Sequence, residues 1–477
     1  MNGPIRKVAV VAAVMIFALL ANITFTAVVR YPDLNGDVRN RRVRDAEFAR
    51  DRGAILVGNT PLAQSKATSG RFKYQRTYSQ PELYASVTGW YAYDFGSSGV
   101  ELNYTQQLAG TDESQAIDRL IATLSGREPK GASVQTTINP KAQQAAWDGL
   151  AGRKGAVVAL NYETGAVLAN VSLPSYDPNT LSSNDLPKAT AAWNALVKNP
   201  DGPLKNRASK EIYPPGSVFK LVTATAAIEK LNLTPSSQIA SKRALRLPQS
   251  TRVLTNQVDC GDTTISLEQA LMNSCNTAFA QLGLDLGSQS LTEQAEKFGF
   301  NHEATTDVPW VNSRFPSKTD QPQLALSAIG QYEVAASPLQ MAMVVAAIAN
   351  DGKQMQPYLV SEVRGSNLQL VSSHRPTPIG QVMKPETAQQ MQQMMVRVVE
   401  GGTGTKAQIE GTVVGGKTGT AQSDPKRPPY AWFVAFSEDP KVAVAVFIEE
   451  ADIERSDIAG GRLAGPIAAS VIKAVQS

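Results

Sequence analysis

Hydrophobic and polar positions divide the chain into three stretches. The first is Val8 to Val29, apolar apart from Asn22, Thr24 and Thr26, a run of 22 residues without a charge. A helix needs about 20 such residues to cross a bilayer. Arg6 and Lys7 immediately precede the run and should stay in the cytoplasm. A cleaved leader has a shorter apolar core, about 7–15 residues, and a small-x-small cleavage site. The run therefore predicts an uncleaved, single-pass anchor in the cytoplasmic membrane, with the remainder of the chain outside it.

The second stretch, from residue 31 to about 140, is polar, rich in short strand and turn patterns, and has no long periodic helix. It predicts a small β-rich module. In the third stretch the apolar periods lengthen. Ser133–Ile138 reads as a strand and Lys141–Gly149, behind Pro140, as a helix. Ala156–Leu160 and Ala166–Val171 read as strands around a hairpin-type loop at Asn161–Gly165. Val218–Leu231 is apolar almost all round, the mark of a buried helix. Leu339–Ala349 follows Pro338 in the same manner, and the amphipathic Glu386–Glu400 is stopped by Gly401-Gly402. Strands return at Trp432–Phe436 and Val442–Glu449, and a last helix, Ile467–Val475, follows Pro466. Strands at both ends of a helical middle predict an α+β domain whose sheet is closed by distant parts of the chain.

Composition narrows the chemistry. The 477 residues carry a formal charge of +4 with no long basic stretch, which argues against a nucleic-acid binder. There are two histidines, His302 and His374, and two cysteines, Cys260 and Cys275, too few for an ordinary zinc site. The sequence has neither a G-x-S-x-G elbow nor a G-x-G-x-x-G fingerprint. Chemistry must then rest on Ser, Thr, Lys, Asp, Glu or backbone groups. Outside the membrane Cys260 and Cys275 can pair, closing a loop worth about 3 kcal/mol in the chain-entropy model; two buried thiols are the alternative.

Three short motifs carry that chemistry. Pro214-Pro215-Gly216 breaks the chain before a helical run, so Ser217 falls in a first turn with Lys220 on the same face. A serine needs an adjacent base to become a nucleophile, and a lysine becomes a base when burial and nearby positive charge depress its pKa. The alternative is an N-cap serine followed by a surface lysine. Ser274-Cys275-Asn276 can place Ser274 and Asn276 together only on a loop or tight turn, with Cys275 pointing away. Lys417-Thr418-Gly419-Thr420 completes a literal Walker A string from Gly411, but the chain soon meets Pro425, Pro428 and Pro429, where no phosphate-binding helix can start. It reads better as a strand at a sheet edge. There Gly419 would let a substrate backbone approach closely and Thr420 could donate its N–H to an oxyanion. Lys417 could bind a carboxylate and hold Lys220 less protonated.

In this order the three motifs resemble the serial signature of penicillin-binding proteins and serine β-lactamases. The likeness extends to Gly155–Leu160, Pro174–Asn179, Ala328–Gln331 and Ser337–Ala342 in the later domain. It includes Arg52–Ile55 and Gly99–Glu101 with Tyr104 and Leu108 in the polar module. Within the family the chain looks most like class B members of the actinobacterial penicillin-binding protein A type. It departs at Tyr332, where many relatives have glycine, a difference that bears on one cleft wall and not on the chemistry. Class A is disfavoured, since too few residues separate the anchor from Ala132 for a glycosyltransferase module.

The resemblance implies an anchor over residues 1–30, a pedestal over 31–140 and a transpeptidase domain over 141–477. The last would be an antiparallel sheet packed with helices, plus an all-helical lobe. It implies a peptidoglycan stem peptide ending in D-Ala-D-Ala as substrate, Ser217 as nucleophile, and Lys220, Ser274 and Asn276 as its catalytic companions. Lys417, Thr418, Gly419 and Thr420 would bind the terminal carboxylate and the oxyanion. β-Lactams would acylate Ser217, and a membrane glycosyltransferase of the RodA/FtsW kind would be the partner, in growth or division. No metal or organic cofactor is implied. A D,D-carboxypeptidase or β-lactamase using water as acceptor, or a non-catalytic sensor or scaffold, are the rival readings.

Overall fold

A computed structural model describes residues 2–36, 41–126, 128–304, 306–421, 427–451 and 458–476; Pro425 lies outside them. The apolar run forms one helix, Asn2–Val28, whose large side chains are exposed along its length. Its stretch from Gly3 to Val28 is long and apolar enough to cross a membrane.

The sheet of the polar module is assembled from three separated parts of the chain. Its order is Leu370–Ser373, Val360–Arg364, Ser133–Thr136, Ile55–Val57, Thr60–Ala67, Tyr74–Tyr78. The first two strands lie far along the chain, which local pattern could not reveal, and helices at Pro81–Thr88 and Ala116–Leu124 interrupt the expected run of strands. Two residues of the polar-module motifs meet at its centre. Glu101 is fully buried and accepts from Arg52 Nε and Arg76 Nε, each at 2.6 Å, and from the Tyr78 hydroxyl at 3.2 Å. Burial works to raise the Glu101 carboxyl, and the two guanidiniums overcome it, so the group is held below the usual carboxylate range. Gly53 is required nearby, because a Cβ there would lie 1.9 Å from the Ala132 carbonyl oxygen.

The second sheet has five antiparallel strands in the order Val414–Ala421, Tyr430–Ser437, Val442–Glu450, Lys154–Leu160, Val167–Leu173. Early and late strands close it, as the pattern predicts. Its strands are buried on both faces, so they read as continuous apolar runs rather than alternating ones. One face carries the helices Pro140–Leu150 and Gly465–Gln476; Pro338–Ala349, apolar all round and buried, packs on the same central strands. A helical lobe built on Lys220–Leu231, Asn276–Lys297 and Gln321–Ser327 completes the domain. Asp307 joins the two regions: Tyr104 donates to its carboxylate at 2.7 Å, and the N–H groups of Leu359 and Val360 donate at 2.8 and 3.0 Å.

Candidate active site

The segment that presents Ser217 is pinned on three sides. Trp432 Nε1 donates to the Pro214 carbonyl at 3.0 Å, and Gly216 N–H donates to the Gly330 carbonyl at 2.9 Å. Gly216 has φ 55°, a left-handed conformation, and a Cβ there would lie 2.9 Å from that of Ala421. The turn after the two prolines is a short 3-10 helix, Gly216–Phe219, leading into the α-helix Lys220–Leu231. Between Gly216 and Lys220 every residue is buried except Ser217, which is half-buried. Phe219 fixes the turn from inside, stacked on Phe315 with ring centres 5.5 Å apart.

Lys220 is fully buried, and its Nζ lies 2.7 Å from Ser274 O, 2.8 Å from Asn276 Oδ1 and 3.3 Å from Ser274 Oγ. A carbonyl, an amide oxygen and a hydroxyl are neutral partners, so among the described residues no hydrogen-bonded carboxylate balances a charge on this lysine. Burial first, and the charge of Lys417 second, push Lys220 well below the ordinary lysine range. Lys417 is buried too, and its Nζ donates to Ser274 Oγ at 2.9 Å and to the Thr418 carbonyl at 2.9 Å. Burial lowers its pKa to about 7.

Ser274 therefore stands between two lysines from different elements. It occupies the turn between the helices Leu267–Met272 and Asn276–Lys297, with φ 60°. Such a backbone costs a non-glycine residue on the order of 1–2 kcal/mol. Asn276 opens the next helix, and its Nδ2 donates to the Thr255 carbonyl at 3.2 Å. Cys275, between them, points into the core and is bonded to Cys260, with Cα atoms 6.0 Å apart. The disulfide, one of two readings open to the sequence, holds the turn from behind.

Lys417, Thr418, Gly419 and Thr420 lie on Val414–Ala421, the edge strand of the five-stranded sheet. Gly419 meets protein at its bare side: a Cβ there would lie 3.0 Å from each of the Pro215 carbonyl, Val218 Cγ1 and Trp432 Cβ. Its lack of a side chain lets the strand close on the Ser217 turn. Thr420 is half-buried beside that turn. Two features escaped the sequence reading. Thr403 shares a hydrogen bond of 2.8 Å with the Thr418 hydroxyl, and Gly461 packs where a Cβ would lie 2.3 Å from the Thr403 carbonyl. The signal was the glycine clustering at Gly401–Gly404 and Gly460-Gly461, read only as a helix stop in the first case. Tyr332, the point of departure from the resemblance, has a left-handed φ of 63° and an exposed ring, two residues beyond the Gly330 carbonyl that holds Gly216.

Comparison with known proteins bears on this geometry. Residues 155–473 match the model of the penicillin binding protein transpeptidase domain, and residues 52–134 that of the penicillin binding protein A dimerisation domain. The peptidoglycan D,D-transpeptidase PbpA of Mycolicibacterium smegmatis is 42% identical, over 99% of both chains. That of Mycobacterium tuberculosis is 41% identical, again over 99% of both chains. The solved structure of penicillin-binding protein A from M. tuberculosis as a ceftriaxone acyl-enzyme complex is 40% identical, with a TM-score of 0.87 over 91% of this chain and 100% of that one. With the three motifs drawn together in space and this likeness along almost its whole length, the chain belongs to the penicillin-binding proteins, in the family that carries the transpeptidase domain.

Proposed function

We propose that the chain is a peptidoglycan D,D-transpeptidase working through an acyl-enzyme on Ser217. The observation that carries this reading is Ser274 Oγ placed between two buried lysines, one of which, Lys220, opens the helix that the Ser217 turn leads into. A neutral Lys220 amine has two N–H groups, which its two shortest contacts, to Ser274 O and Asn276 Oδ1, employ. Its lone pair is left to take a proton.

In the acylation half, Lys220 takes the Ser217 proton and Oγ attacks the carbonyl of the penultimate D-Ala. The backbone N–H groups of Ser217 and Thr420 hold the oxyanion. The peptide C–N bond breaks, and Ser274 relays a proton to the departing D-Ala amine. The Lys417 ammonium, with Thr418 and Thr420, binds the terminal carboxylate, Asn276 orients the peptide amide, and Gly419 keeps the strand against the nucleophile. The amine of a neighbouring stem then attacks the Ser217 ester, forms the cross-link and frees Oγ. A β-lactam would be attacked by the same oxygen, but its leaving nitrogen stays tethered, so the adduct stalls.

The same reading divides the chain into an anchor, 1–30, a pedestal, 31–140, and a transpeptidase domain, 141–477, with the catalytic part extracytoplasmic. A RodA/FtsW-type glycosyltransferase is the proposed partner, docking through anchor and pedestal.

Intact mass after incubating the full chain with fluorescent penicillin, beside Ser217→Ala and Lys220→Ala, tests the assignment. A stable single adduct, lost in the serine variant and greatly slowed in the lysine variant, is expected. Rapid return to the free mass would indicate water as the acceptor, and the absence of any adduct on folded protein would indicate a scaffold.

A further inference from the structure

The helix Ala116–Leu124 shows its apolar side to solvent. Ile117, Leu120, Ile121 and Leu124 are 53–79% exposed, and their i, i+3, i+4, i+7 spacing puts them in one stripe. Exposed apolar stripes of this kind mark an interaction surface. Strand register says which end of the pedestal this helix occupies. Ile55 pairs in parallel with Val134, so both strands start at the end where the chain arrives from the anchor. Val360–Arg364 runs antiparallel to Ser133–Thr136, with Arg364 opposite Ser133, so its following turn returns to that same end. That turn carries Leu368, 73% exposed, and its Gly365–Asn367 lines one cavity with Ile121 and Ala122. Arg119 ties the helix to the adjacent loop, donating to the carbonyls of Gly110 and Asp112 at 2.9 and 2.6 Å. Thr111 of that loop shares another cavity with Asn22, Ile23, Thr26 and Ala27 of the anchor helix. The helix that carries the stripe thus lies at the end of the pedestal where the anchor leaves the bilayer.

We propose that Ile117, Leu120, Ile121 and Leu124, with Leu368 beside them, insert into the outer surface of the phospholipid bilayer. They form a second membrane contact that sets the height and tilt of the pedestal. This rests on the reading of Asn2–Val28 as a membrane anchor. A short helix buries its apolar face in the headgroup region when held there, and the anchor supplies that proximity.

The test uses the full chain in phosphatidylcholine/phosphatidylglycerol nanodiscs, with a fluorophore on a single introduced cysteine. Both native cysteines are in the disulfide, so the label is selective. Phe17→Cys reports the anchor, Leu120→Cys the stripe and Thr123→Cys the polar side of the same helix. Thermal melts confirm that each variant is folded. With doxyl-labelled phosphatidylcholine present, fluorescence should be lost at Phe17 and Leu120 and kept at Thr123. Loss at Phe17 with none at Leu120 would overturn the inference and leave the anchor standing. No loss at Phe17 would overturn both. Shielding of Leu120 only after a second membrane protein is added would assign the stripe to a protein partner and overturn the lipid contact.

Discussion

Two places in the molecule bury a pair of cations, and they treat the charge in opposite ways. In the pedestal, Arg52 and Arg76 grip Glu101, and the Arg52 guanidinium also lies 4.2 Å from the centre of the Tyr91 ring. Backbone carbonyls take most of the remaining N–H groups; among the described residues Arg76 Nη2 alone of those guanidinium nitrogens lacks a partner. In the active site, Lys220 and Lys417 share the Ser274 hydroxyl and have, among the described residues, only neutral hydrogen-bond partners. The first arrangement fixes protonation and holds strands and helices together. The second makes protonation costly, and a lysine that gives up its proton is a base. A buried charge is structural where an opposite charge meets it and reactive where none does.

Separating stability from activity sharpens that contrast. The largest effect is expected from Lys220→Met. Loss of a positioned base should slow penicillin acylation by about 10²–10⁴-fold. Because the lysine is buried without a counter-charge, the melting temperature should hold or rise. Glu101→Gln should do the reverse. Breaking a buried pair costs about 3–5 kcal/mol, read as a lowered denaturation midpoint, while the acylation rate of the folded fraction stays as it was. If Glu101→Gln slowed acylation and left stability alone, the two clusters would not differ as described.

Behind the Ser274 turn, replacing both Cys260 and Cys275 by serine should remove about 3 kcal/mol of stability through the 15-residue loop, measured by denaturant titration. The smallest effect belongs to Thr403→Val. It removes one hydrogen bond to the Thr418 hydroxyl, about 1 kcal/mol or roughly fivefold, and should weaken binding of a substrate carboxylate rather than slow acylation at saturation.

Much of this arrangement was legible in the sequence because the key signals are local. Pro-Pro-Gly before an apolar run announces the turn at Ser217, and the order of the three motifs carries the family. The five-stranded sheet was legible because its strands are buried on both faces and read as apolar runs. What escaped was non-local. Val360–Arg364 and Leu370–Ser373 join the pedestal sheet across more than two hundred positions, and no short-range pattern encodes that pairing. The partnership of Thr403 with Thr418 was hidden for the same reason. Gly419 was expected to make room for a substrate backbone, and what lies against its bare side, Pro215, Val218 and Trp432, needed the fold. The helix Ala116–Leu124 was missed because its apolar positions lie within a polar stretch and face outward.

The central claim is that burial, and after it the charge of Lys417, depresses the Lys220 pKa and so readies its amine as a base. The rate of penicillin acylation against pH, for the parent chain and for Lys417→Met, tests it most directly. Deprotonation activates Lys220, so the rate should climb with pH through its depressed pKa, far below the ordinary lysine value of 10.5. It should then fall above about 7 as Lys417 loses the proton that holds the ligand carboxylate. In Lys417→Met the repulsion is gone, so the rising limb should move to higher pH and the falling limb should vanish. A rising limb near 10.5 in the parent chain, or one that stays in place when Lys417 is removed, would contradict the account.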